Sequence, residues 1–188
     1  MEKKTAKIVG LSLLTALIVI LQALAKLIPM VPFSLTLSLI PIVIGAAVYG
    51  IAGGAWLGFV FGAMTIFDAG AFLAVSVPGT LVTVLVKGTL CGIASGAVYR
   101  LLRRVNDVLA SAAAAIVCPC VNTGIFLIGC QMFFMPTITQ WAAASSYPDA
   151  GNYLIVGMIG INFLIEMAIN LILSPAIVRI IHARNKGT

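Results

Sequence analysis

Apolar residues run almost unbroken from Ile8 to Ile181, and the charged residues are pushed to the ends of those runs. The chain has 188 residues, of which 62% are hydrophobic and only 9% charged. A soluble domain carries about a quarter charged residues. The runs are continuous, whereas barrel strands alternate in ~10-residue pieces. The pattern predicts an all-α integral membrane protein: one six-helix bundle over residues 1–188, with almost no chain left for a soluble domain. The net charge of +6 comes from short basic clusters at segment ends, which is a topology signal rather than a nucleic-acid footprint. No GxxxxGK[ST] loop is present, so any active transport must draw on an ion gradient or a partner. No nucleophile–base pair or metal cluster stands out, so neither an enzyme nor a bound cofactor is expected.

Six segments follow in order. After the basic cap Met1–Lys7, the first segment covers Ile8–Ile28, about the ~20 residues that span a bilayer. It is expected to be a retained helix rather than a cleaved leader. Small residues four apart, Ala6/Gly10 and Ser12/Ala16, let another helix approach it closely. Pro29-Met30-Val31-Pro32 ends it. The second run, Leu35–Tyr49, is short and is interrupted by Pro41. Gly50, Gly53 and Gly54 make a turn. The third segment is Ala55–Phe67, with Gly58 and Gly62 four apart. Asp68–Pro78 is expected to be a loop. The fourth is Gly79–Leu102, with Lys87 followed by a Gly88, Gly92, Gly96 stripe. The fifth is Val108–Phe134, with Pro119 inside. Pro136–Asn152 is expected to be a polar loop holding Trp141 and Tyr147. The sixth runs from Tyr153 to Ile181.

Charge fixes the expected orientation. One side of the membrane collects Lys3, Lys4, Lys7, Arg100, Arg103, Arg104, Arg179, Arg184 and Lys186, with His182 beside them. The other holds at most Lys26, with Asp68 and Asp149. The positive-inside rule then places both termini in the cytoplasm.

Polar residues inside such segments are costly and mark function by default. Asn162, Glu166 and Asn170 step by four along the sixth segment and so stay within a roughly 80° stripe. The stripe must face protein or a water-filled cavity. It is either a solute site or hydrogen-bonding glue between helices. Counting from the non-cytoplasmic side, Lys87 lies ~12 Å deep, and Asn162 and Glu166 lie ~14 and ~20 Å deep. Asn122 lies near the middle of the fifth segment. Polar groups from three segments thus share one slab, as in a ligand pocket. The alternative is a buried Lys87–Glu166 pair that only holds helices together. Cys91, Cys118, Cys120 and Cys130 lie in apolar segments and are expected to be small core residues. Cys118-Pro119-Cys120 could hold a soft metal, as in heavy-metal pumps, but the nucleotide domains of such pumps are absent.

The stretch Leu37-Ser-Leu-Ile-Pro-Ile-Val-Ile-Gly-Ala-Ala-Val-Tyr-Gly50 and its continuation Gly53-Gly-Ala-Trp-Leu-Gly-Phe-Val-Phe-Gly62 resemble the substrate-binding S components of energy-coupling factor (ECF) transporters. Lys87-Gly-Thr-Leu-Cys-Gly-Ile-Ala-Ser-Gly-Ala-Val-Tyr-Arg100 and Asn162-Phe-Leu-Ile-Glu166 extend the resemblance over nearly the whole chain. The resemblance implies a multi-pass protein of a prokaryotic plasma membrane. Such a protein captures a water-soluble vitamin or precursor near the outer face, then joins a membrane T component and two ATPases. It implies a docking face on the first helix, typically Ala-x-x-x-Ala; here the nearest match is Ser12-x-x-x-Ala16, beside Gly10. Riboflavin-binding members hold ligand with side chains that Asn122 and Asn162 match, but Glu166 stands where they tend to have a lysine a few residues on. Riboflavin and a carboxylate vitamin such as pantothenate are the first ligands to consider. The contrasting expectation is a self-sufficient secondary transporter or channel coupled through Glu166 and Lys87. Residues 136–152, with Trp141, are expected to close over the ligand together with Pro32–Thr36.

Overall fold

The computed structural model describes residues 2–25 and 37–186. Lys26, the Pro29–Pro32 turn and the Pro32–Thr36 half of the expected lid lie outside them. The described residues form α1 (Glu2–Ala25), α2 (Leu39–Tyr49), α3 (Ile51–Ile66), α4 (Gly70–Val75), α5 (Val77–Leu102), α6 (Asp107–Phe133), α7 (Met135–Ala144), α8 (Ala150–Asn152), a π-helical segment (Tyr153–Gly160) and α9 (Ile161–Lys186). No strand occurs among them. Helices α1, α5 and α6 and the stretch Ala150–Pro175 are long and apolar enough to cross a membrane, whereas the apolar helices α2 and α3 are shorter.

The bundle is built around α2, which touches α1, α3, α5, α6 and α9. A helix that is hydrophobic all round belongs inside. Accordingly Leu39, Ile42, Val43 and Ala46 are buried. Pro41 does not interrupt this helix. It is the third residue, in the first turn, where a missing N–H breaks no helical hydrogen bond. Gly50 ends α2 at φ 80°, ψ −173°, a conformation open essentially to glycine alone, and turns the chain straight into α3.

Helices α3 and α5 meet backbone to backbone. The Gly54, Gly58 and Gly62 face lies directly against the backbone at Gly92, Gly88 and Val84, and a Cβ added at Gly58 would collide with the Gly88 carbonyl oxygen. The two stripes legible in the sequence are therefore the two sides of one antiparallel contact. On its other side α5 is tied to α6 where Ser95 Oγ donates to the Ala114 carbonyl, 3.2 Å away. Ser76 and Asn106 cap α5 and α6, accepting from the backbone N–H groups of Gly79 (3.2 Å) and Val108 (2.7 Å).

The bundle thus has a Gly50 end and an Asp68 end. At the Asp68 end two expected loops are partly helical. Residues 68–78 contain α4, and 136–152 contain α7 and α8. Pro136 reads as a breaker in sequence, but it sits at the start of α7, where proline is favoured. Ile138 and Ala142 turn the apolar side of α7 into the bundle.

Candidate functional site

A cavity of about 490 Å³ opens in the Asp68 half, walled by α1, α3, α5, α6, α7, the π-helical segment and α9. Its polar lining includes Gln22, Asp68, Lys87, Asn122, Asn162 and Glu166. Four of the residues predicted from their depth, Lys87, Asn122, Asn162 and Glu166, are thus gathered on one cavity, and Trp141 lines it as well.

Lys87 enters from α5. Its Nζ stands 5.6 Å from the Phe61 ring centroid and 5.3 Å from that of Phe126. A cation over a ring face is attracted by the ring quadrupole. Glu166 of α9 and Asp68 line the same cavity as Lys87. Asn122 lies one turn before Phe126 on α6. It is 5% exposed, and its Oδ1 has no hydrogen-bond partner among the described residues. Burying a carbonyl without a partner costs about 1–3 kcal/mol. Thr65, Thr80 and Thr83 also line the space. Their hydroxyls donate to Phe61, Ser76 and Gly79 carbonyls at 2.9, 2.8 and 2.7 Å, leaving acceptor lone pairs on each oxygen.

The Asp68 end of the cavity is aromatic. Phe72 of α4 meets Phe126, Phe134 and Trp141 edge-on, at centroid distances of 5.8, 4.9 and 5.6 Å. Tyr153 and Met158 of the π-helical segment complete this wall. Its wider i→i+5 winding precedes Asn162, so the Asn162–Glu166 step of four is taken in regular α-helix.

Not every expected residue belongs here. Asn170 does not line the cavity: it is buried one turn beyond Glu166, and its Nδ2 donates to the Glu166 carbonyl at 2.8 Å. That part of the stripe packs and caps within the helix. Gly10 faces inward, where an added Cβ would strike the Tyr49 hydroxyl. It seats α1 on α2 instead of offering a free surface. Ser12 and Ala16 are exposed. Cys118 is buried while Cys120 is exposed, so the Cys-Pro-Cys thiols face different surroundings.

Sequence reasoning missed Gln22 and Asp68. Gln22 Nε2 donates to Asp68 Oδ2 at 2.8 Å, and Ser38 Oγ donates to Gln22 Oε1 at 2.9 Å. A lone amide inside the very apolar first segment was the available signal.

An apolar helical bundle with an aromatic-walled, amide- and charge-lined cavity has the build of a binding protein. The family model for the substrate-specific component of ECF transporters matches residues 6–178, and the chain belongs to that family. Comparison with curated proteins and with solved structures gave no match. Membership makes the chain a substrate-binding subunit of a transporter rather than an enzyme. It is a multi-pass membrane protein that works with T and ATPase components.

Proposed function

We propose that the cavity captures a small water-soluble vitamin or precursor from outside the cell, for delivery through the T component and its two ATPases. The observation that carries this is Asn122 Oδ1, buried and unpartnered on the wall of a cavity that also holds Lys87, Asn162 and Glu166. An apolar wall with a few convergent polar groups is the pattern of a ligand site, and about 490 Å³ falls in the usual range of ~300–1,000 Å³. In this reading α1, α2, α3, α5, α6 and α9 make six passes, both termini are cytoplasmic, and the Asp68 end faces outward. Helix α7 with Trp141 forms the lid. Ser12 and Ala16 present the T-component face, with Gly10 setting the α1 packing behind it. The ring-lined wall suits a ligand with a flat ring system, riboflavin among them. Lys87 would favour an acidic group such as that of pantothenate.

The test is thermal unfolding of the purified protein with riboflavin, pantothenate, thiamine, biotin, pyridoxine, nicotinate and folate added singly. One of them is expected to raise the melting temperature in wild type and to do so much less in Asn122→Leu. Stabilisation that is equal in both proteins, or none by any compound, would contradict the proposal.

A further inference from the structure

Helix α1 is the most loosely held of the long helices, with 11% of its spanning window buried in the bundle. Along it, Ile18 and Gln22, one turn apart, are the buried side chains among those described. Gln22 is 4% exposed and is the residue of α1 that lines the cavity. Both ends of its amide are engaged. One N–H is given to the Asp68 carboxylate at 2.8 Å, where α3 ends, and the carbonyl receives the Ser38 hydroxyl at 2.9 Å, where α2 begins. Asp68 is itself cavity wall, whereas Ser38 lies behind it and does not line the space. At the Gly50 half α1 has separate ties away from the cavity: Gly10 packs on Tyr49, and Trp56 Nε1 donates to Thr15 Oγ1 at 3.2 Å.

We propose that Gln22 is the positioning residue through which occupancy of the cavity sets the seating of α1. The inference rests on the capture reading above. A solute in the cavity meets the Gln22 amide and the Asp68 carboxylate directly. Any hydrogen bond it makes there either reinforces or competes with the link that holds the second half of α1. A hydrogen bond to a charged group changes a local opening equilibrium by about tenfold or more. Apart from the buried Ile18, and Leu11 and Leu14 half-buried against the core, α1 has few packed side chains, so that change is not absorbed by packing alone. It is transmitted to the exposed Ser12 and Ala16 face as a shift in how rigidly that face is presented. The mechanism is a coupling between two sites through one shared element.

The experiment is amide hydrogen exchange on the full chain in lipid nanodiscs. The exchange of α1 is read with and without an equimolar mixture of the seven vitamins named above, and stabilisation by the mixture is recorded in parallel. Wild type is expected to change exchange about tenfold in the second half of α1 when the mixture stabilises it. Ser38→Ala, which leaves the cavity lining intact, should lose most of that change. Gln22→Leu, compared at equal thermal stabilisation, should lose all of it. Thr15→Val, which cuts the other tie, should keep it. Stabilisation by the mixture with unchanged α1 exchange in wild type would overturn the inference and leave the capture reading standing. So would a full exchange response in Ser38→Ala. No stabilisation of wild type would overturn the capture reading and this inference together.

Discussion

A single amide oxygen, Asn122 Oδ1, separates the two meanings a polar residue can have in an apolar bundle. An amide with a purely structural place has its donor engaged nearby, as Asn170 does with the Glu166 carbonyl of its own helix. Asn122 lines the cavity, and its buried Oδ1 has no hydrogen-bond partner among the described residues. Asn122→Leu is therefore expected to weaken ligand binding by roughly ten- to a hundredfold while leaving the unloaded protein as stable as before or more so, because an unpaired buried acceptor is removed. Titration calorimetry and thermal unfolding of the two proteins check the two halves. Lys87→Met and Glu166→Gln are each expected to lower affinity as well. The larger loss at Lys87 marks an acidic ligand, and at Glu166 a cationic or amide-rich one.

At the scale of elements, the α3–α5 contact and the α7 roof carry the site. The glycine faces bring α3 and α5 within backbone contact, which sets Phe61 and Lys87 beside each other. Gly58→Leu would force two backbones apart. It is expected to lower the melting temperature sharply, at or beyond the ~1–3 kcal/mol of an overpacked core, and to abolish binding. Trp141 sits on α7 against Phe72, lining the cavity. If α7 is the lid, the true ligand changes Trp141 fluorescence and slows proteolysis within 135–152; unchanged signals on saturation would contradict a lid.

These elements also show what was legible beforehand. The four-residue glycine spacing at 58/62 and 88/92/96 is a local pattern and could be read directly. So could the common depth of Lys87, Asn122, Asn162 and Glu166, because helical rise converts sequence distance into depth. The Gln22–Asp68 bond joins residues 46 positions apart, and nothing in local spacing encodes such a pairing. Helices α4 and α7 were hidden for a different reason. GAFLAV is too short to show a period, and Pro136 and Thr137 resemble a loop until their place in the first turn of a helix is known. The π-helical winding of 153–160 depends on packing and leaves no period of its own.

For the whole molecule, the proposed arrangement ties chemistry to direction. Cysteine probes at 103 and 186 should label from the cytoplasmic side and a probe at 145 from the outside; an external label at 186 would contradict the orientation. Ser12→Trp or Ala16→Trp should stop uptake by the assembled transporter without loss of binding by the isolated subunit, because both side chains are exposed and neither lines the cavity. The central claim is that this cavity holds a small water-soluble solute. Its most direct test is mass spectrometry of the compounds released on denaturing the purified wild-type protein and Asn122→Leu side by side. Wild type is expected to release one water-soluble compound, near one per chain, and the folded variant far less of it. Finding no such compound, or the same occupancy in both proteins, would contradict it.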